Sequence, residues 1–136
     1  DILAVEMSLD TNLINWADHI EWFQKILNNE KKFFLMCMYK ESKKKIGYVR
    51  FDIISNQANI SINLSPSMRG KGLAKECLIS SLLIFNKKFN EIKTINAKVK
   101  SKNIASIKTF NKAGFSIIQK TKEVLIYQYI FKNVEN

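Results

Sequence analysis

The chain is poor in the residues that mark specialised architectures. It has two cysteines, one proline, four glycines and one histidine in 136 residues. Two cysteines cannot build a disulfide scaffold, and Cys37 and Cys77 both fall on apolar faces, where they read as core rather than as nucleophiles. The scarcity of Pro and Gly excludes collagen-like and low-complexity chains. No apolar run nears the roughly 20 residues that a membrane span needs, so no membrane partner is expected. No secretory or transit segment is visible, and a reduced, cytoplasmic protein is expected. No metal site is expected either. The chain opens on Asp1 rather than Met, which fits a piece of a longer protein.

What is present is apolar residue and positive charge. Apolar residues make up 46% and aromatics 11%, enough for one closed core without staples. The formal net charge is +10. Of the 22 basic residues 20 are Lys, and with abundant Asn and Ile this resembles the codon bias of an AT-rich genome. Residues 1–68 balance at eight basic and eight acidic, while residues 69–136 hold 14 basic and four acidic. The whole excess lies in the second half, where it would attract phosphates or nucleic acid. For most of these lysines a solvated surface is the simpler reading.

Periodicity predicts one mixed α/β domain over residues 1–136, with no linker or repeat. Leu13, Trp16, Ile20, Phe23 and Leu27 recur at helical steps. Phe33 to Tyr39 reads as a buried strand, Ile46 to Ile53 as a second and Ala58 to Ser65 as a third, with Pro66 stopping it. A helix from about Gly70 to Phe85 turns Cys77, Leu78, Ser81, Leu82 and Phe85 inward. Ile92 to Val99 is a strand, Asn103 to Ala113 a short helix closed by Gly114, and Phe115 to Gln119 and Val124 to Phe131 a final strand pair.

The segment Leu64-Ser65-Pro66-Ser67-Met68-Arg69-Gly70-Lys71-Gly72-Leu73-Ala74 carries the most chemistry. A strand ends and a glycine-rich turn opens a helix, whose first turn offers unpaired N–H groups and the positive end of its dipole. Gly70 and Gly72 let a diphosphate approach the backbone, and Arg69 and Lys71 add charge. It is not a P-loop, since no Gly-Lys-Ser/Thr ends it, and it lacks the third glycine of a dinucleotide fingerprint.

Here the sequence resembles the GNAT family of acyl-CoA-dependent N-acetyltransferases. The family's pyrophosphate motif, Arg/Gln-x-x-Gly-x-Gly/Ala, is matched by Arg69, Gly72 and Ala74. A second segment, Asn103 to Phe115, is similar to the family's Asn-x-x-Ala/Ser-x-x-x-Tyr/Phe-x-x-x-Gly-Phe pattern. The resemblance implies a mostly antiparallel sheet flanked by helices and splayed at an acetyl-CoA site. It places pantetheine along Ile62, Asn63 and Leu64, and the pyrophosphate on Arg69, Gly70, Lys71, Gly72, Leu73 and Ala74. Asn103, Ser106 and Phe110 would form the other wall, with Lys71, Lys98, Lys100, Lys102 and Lys108 as candidates for the rim. It also implies a strand and a helix before the helix at 13–27; residues 1–7 look more like the tail of that first helix than like a strand, and the first strand is expected to be missing here.

The chemistry implied is attack of a primary amine on the thioester, with backbone N–H near Asn63 or Leu64 stabilising the oxyanion. Many relatives protonate the leaving thiolate with a Tyr at the position of Phe110, and Phe cannot donate a proton. A thiol pKa of roughly 8.5 makes the thiolate a tolerable leaving group unaided. His19 and Asp52 are the candidates for the base that takes the amine proton, against a surface or packing role for His19. His19-x-x-Trp22 followed by Gly47-x-x-Arg50-Phe51-Asp52 resembles GNAT domains of bacterial nonulosonic-acid pathways, which acetylate nucleotide-linked amino sugars. Trp22 would then stack on a ring and Arg50 meet a phosphate; the alternatives are a core Trp22 and an Arg50 paired with Asp52.

The expected function is therefore acetyl transfer from acetyl-CoA to a small-molecule amine, by a monomer or homodimer. A basic nucleic-acid-binding module is the rival from another class, weakened because Lys98–Lys102 and Lys108–Lys112 lack an aromatic array; no nucleic-acid partner is expected. A degenerate domain that binds acyl-CoA without turnover is the third reading.

Overall fold

The computed structural model describes the backbone of residues 3–7 and all of residues 31–132. The helix expected over 13–27, with His19 and Trp22, lies outside the described residues.

Alternation of apolar and polar side chains builds most of the sheet. Strand β1 is Leu3–Met7, β2 Lys32–Tyr39, β3 Lys45–Ile54 and β4 Gln57–Leu64. Consecutive strands pair antiparallel, and Ser55, with φ of 58°, makes the tight turn between β3 and β4. Phe33 to Met38 is buried on both faces of β2, as its unbroken apolar run predicts. Residues 3–7 correct the sequence reading. They form a strand against β2, so an edge strand does precede it where the tail of a helix is expected.

Pro66–Met68 is a single 3-10 turn, and helix α1 follows at Leu73–Lys88. Its buried stripe is Cys77, Leu78, Ser81, Leu82 and Phe85, spaced at three and four residues. Phe85 stacks on Phe51 at 4.2 Å between ring centroids, which fastens the helix to β3. Cys37 and Cys77 are both fully buried free thiols. Their mutual hydrogen bond and burial push the Cys37 thiol far above the ordinary range. That suits core packing and not nucleophilic chemistry.

Strand β5 is Thr94–Lys100, helix α2 Ile104–Lys112, and β6 (Ser116–Lys120) and β7 (Val124–Ile130) form a closing hairpin. The sheet order is β1-β2-β3-β4-β5-β7-β6. Every pairing is antiparallel except β4 with β5, which is parallel because α1 crosses over between them. That pairing covers only Gln57–Asn59 against Thr94–Asn96. Beyond it, β4 runs on to Leu64 and β5 to Lys100 without a shared ladder. The sheet therefore splays in its middle.

Candidate acyl-CoA site

Where the strands diverge, a cleft of about 770 Å³ opens between the free end of β4 with the turn after it and helix α2. Ile62, Asn63 and Leu64 of β4 line one side, continued by Arg69, Gly70 and Gly72 to Lys75. Asn103, Ala105, Ser106, Lys108, Thr109 and Lys112 line the other. Volume and shape suit a small molecule held along its length.

The turn that floors the cleft needs glycine for its backbone. Gly70 and Gly72 have φ of 75° and 74°, the left-handed region, and an added Cβ at either would meet nothing within 4 Å. The requirement is thus conformational, not steric. Gly72 stands at the N-cap of α1 with no side-chain hydrogen bond to the first turn. The orphan N–H groups of a 16-residue helix therefore open into the cleft.

A second glycine shapes the β4 side. A Cβ on Gly47 would lie 2.3 Å from the Asn63 carbonyl oxygen and 2.7 Å from Leu64 Cα. Only a residue without a side chain lets β4 press this close to β3 as it leaves β5. The Arg69 Nε donates to the Leu64 carbonyl at 3.2 Å. That bond straps the glycine turn to the end of β4 and commits part of the guanidinium to the protein.

The opposite wall is one face of α2. Asn103 caps this helix, its Oδ1 accepting from the Ser106 N–H at 3.1 Å, and Thr109 Oγ1 donates to the Ala105 carbonyl. Ala105, Lys108, Thr109 and Lys112 follow at helical spacing toward the cleft. Phe110 points the other way. It is buried, edge-on to Phe115 at 4.9 Å and stacked on Tyr127 at 5.6 Å. Its expected place on the cofactor wall is thereby corrected: its apolar ring gains more in the core than in an open cleft. Lys71 is likewise exposed on the turn but does not line the cleft. Of the five lysines expected at the rim, Lys108 alone borders the cleft, whereas Lys75 and Lys112 border it without having been singled out. For Lys112 the signal is the spacing of 105, 108, 109 and 112 on α2.

Asp52 and Arg50 lie toward the paired end of β4, opposite Asn59 and Ser61. Asp52 Oδ1 is 2.9 Å from Lys32 Nζ and 3.3 Å from Arg50 Nε. The carboxylate is engaged by two cations and does not line the cleft. Register puts Tyr48, Asn59, Ser61, Asn63 and Asn96 on one face of the sheet, across from α1. Asn63 Nδ2 donates to the Tyr48 hydroxyl at 3.2 Å. Among the described residues no group of His, Cys, Asp and Glu is placed to hold a metal, and no helix is long and apolar enough to cross a membrane.

The sequence matches the family model of the acetyltransferase (GNAT) domain over residues 6–116. The chain belongs to the GNAT acetyltransferase family. Comparison with curated proteins gives no match. Solved GNAT structures share the fold at low identity. A spermidine N-acetyltransferase from Vibrio cholerae, in complex with CoA and spermine, superposes with a TM-score of 0.77 at 15% identity, over 94% of this chain and 95% of that one. The Campylobacter jejuni N-acetyltransferase PseH, in complex with acetyl coenzyme A, gives 0.77 at 14% identity, over 96% and 100%. A ribosomal-protein-S5-alanine acetyltransferase from Vibrio fischeri gives 0.70 at 18%, over 85% and 70%.

Proposed function

We propose that residues 1–136 form one GNAT domain, a cytoplasmic and metal-independent enzyme that moves an acetyl group from acetyl-CoA to the primary amine of a nucleotide-linked amino sugar. The observation that carries the cofactor is the parting of β4 from β5 after Asn59, directly above a glycine turn with uncapped helix N–H groups. From Ile60 to Leu64 the edge of β4 that faces β5 has no ladder partner. Pantetheine amides would take those hydrogen bonds, and the diphosphate would rest on the turn from Arg69 to Ala74.

Held this way, the thioester carbonyl lies beside the Asn63–Leu64 backbone, whose N–H groups stabilise the oxyanion as it forms. The neutral amine attacks the carbonyl carbon, the C–S bond breaks and CoA leaves as the thiolate. The ammonium proton passes to water or to His19, since Asp52 is occupied by Lys32 and Arg50. With Phe110 in the core, no aromatic hydroxyl of α2 protonates the thiolate.

The acceptor reading is supported by what the outer sheet face offers. Near the splay it carries amides and hydroxyls, from Tyr48, Asn59, Ser61, Asn63 and Asn96, and the carboxylate of Asp52 there is paired with Lys32 and Arg50. Such a face hydrogen-bonds a polyhydroxylated ring and offers little to a polycation, which needs unpaired acids. A screen that reads thiol release from acetyl-CoA tests this with nucleotide-linked amino sugars, spermine and an N-terminal alanyl peptide. Turnover with the sugars alone is expected. Turnover with spermine alone would overturn the acceptor, and binding without turnover on any amine would leave a non-catalytic acyl-CoA-binding domain.

A further inference from the structure

We propose that Lys108 and Lys112 of α2, with Lys75 of α1, hold the 3′-phosphate of the CoA ribose and make this domain select CoA over 3′-dephospho-CoA; the inference rests on the acetyl-CoA reading above. Four cationic side chains line the cleft and no carboxylate does. One of the four, Arg69, already gives its Nε to the Leu64 carbonyl. The other three form no ion pair among the described residues.

A diphosphate docked on the backbone of the glycine turn is satisfied from the first wall. That leaves the lysines of the second wall facing an anion of their own. Lys108 and Lys112 are four residues apart on one helix, where like charges repel unless an anion lies between them. In CoA the remaining anionic group is the 3′-phosphate, one sugar away from the diphosphate. No aromatic ring lines the cleft, so the adenine gains no stacking partner and the nucleotide end must be held by charge. Lysine suits this work as a mobile point charge that meets a phosphate without a fixed fork geometry.

Calorimetric titration of the purified protein with CoA and with 3′-dephospho-CoA tests the assignment. The wild type should bind CoA about tenfold more tightly than 3′-dephospho-CoA, with the difference shrinking as salt rises. The Lys108→Ala/Lys112→Ala variant should bind the two alike. Lys120→Ala/Lys122→Ala, which removes the same charge from the β6–β7 hairpin, should keep the discrimination. Equal binding of both ligands by the wild type would overturn the inference and leave the cofactor reading intact. So would full discrimination in the Lys108→Ala/Lys112→Ala variant. Failure of the wild type to bind CoA at all would remove the cofactor reading, and this inference with it.

Discussion

The two ends of the β4–β5 pair are built from the same strands and behave as opposites. At the closed end, Gln57–Asn59 pairs with Thr94–Asn96, and a chain of amides crosses three strands. Gln128 Nε2 donates to Asn96 Oδ1 at 3.0 Å, and Asn96 Nδ2 to Gln57 Oε1 at 2.7 Å. At the open end the ladder stops, Gly47 lets β4 lean toward β3, and the freed edge borders a cleft. The difference teaches that stability and binding are divided along the strands. The closed end and the Phe51–Phe85 stack hold the fold together. The open end leaves the β5-facing edge of β4 without a ladder partner, where the proposed cofactor would pair.

Substitutions at the two ends should therefore separate stability from affinity. Phe85→Ala, which empties the stack on Phe51, is expected to lower the unfolding free energy by about 3–5 kcal/mol while the folded fraction keeps its affinity for acetyl-CoA. Chemical denaturation paired with calorimetry reads both. Gly47→Ala should cost about 1–3 kcal/mol by forcing backbone apart. Unlike Phe85→Ala it should also weaken acetyl-CoA binding, because the backbone it displaces is the Asn63–Leu64 peptide. If Gly47→Ala kept full affinity, the division between the ends would be wrong at its most specific point. Asn96→Ala breaks the amide chain and should cost about 1 kcal/mol in a urea melt, with no change in affinity.

The smallest effect lies away from both ends. The Tyr127 hydroxyl is buried without a partner in good geometry, and burial pushes its pKa up, with Asn111 partly offsetting this. A raised folded-state pKa favours the neutral phenol. Its contribution is whole below the unfolded value near 10 and is lost as pH climbs through the higher folded value. Tyr127→Phe should thus leave stability at neutral pH within about 0.5 kcal/mol and flatten the alkaline part of a stability–pH curve.

Much of this was legible in the sequence. The alternation of Ala58, Ile60, Ile62 and Leu64 gave β4 its faces, and the Gly70-x-Gly72 turn gave the floor of the cleft its place. Ten of the twelve residues expected to touch the cofactor do line the cleft; Lys71 and Phe110 do not. Residues 3–7 were misread because Leu, Ala, Glu and Met are good helix formers, and only pairing with β2 decides for a strand. Phe110 was misread because a motif fixes its position on the helix but not its rotation toward Phe115 and Tyr127. The bond of Arg69 to Leu64 is a tertiary contact with no periodic signal.

The central claim is that the open end of the β4–β5 pair, floored by the glycine turn, binds acetyl-CoA. Calorimetric titration of acetyl-CoA into the wild type and into Gly72→Trp, whose indole would fill the cleft, tests it directly. The account predicts saturable one-site binding to the wild type and its loss in a variant that keeps the circular dichroism spectrum of the wild type. Undiminished binding by Gly72→Trp, or none by the wild type, would contradict it.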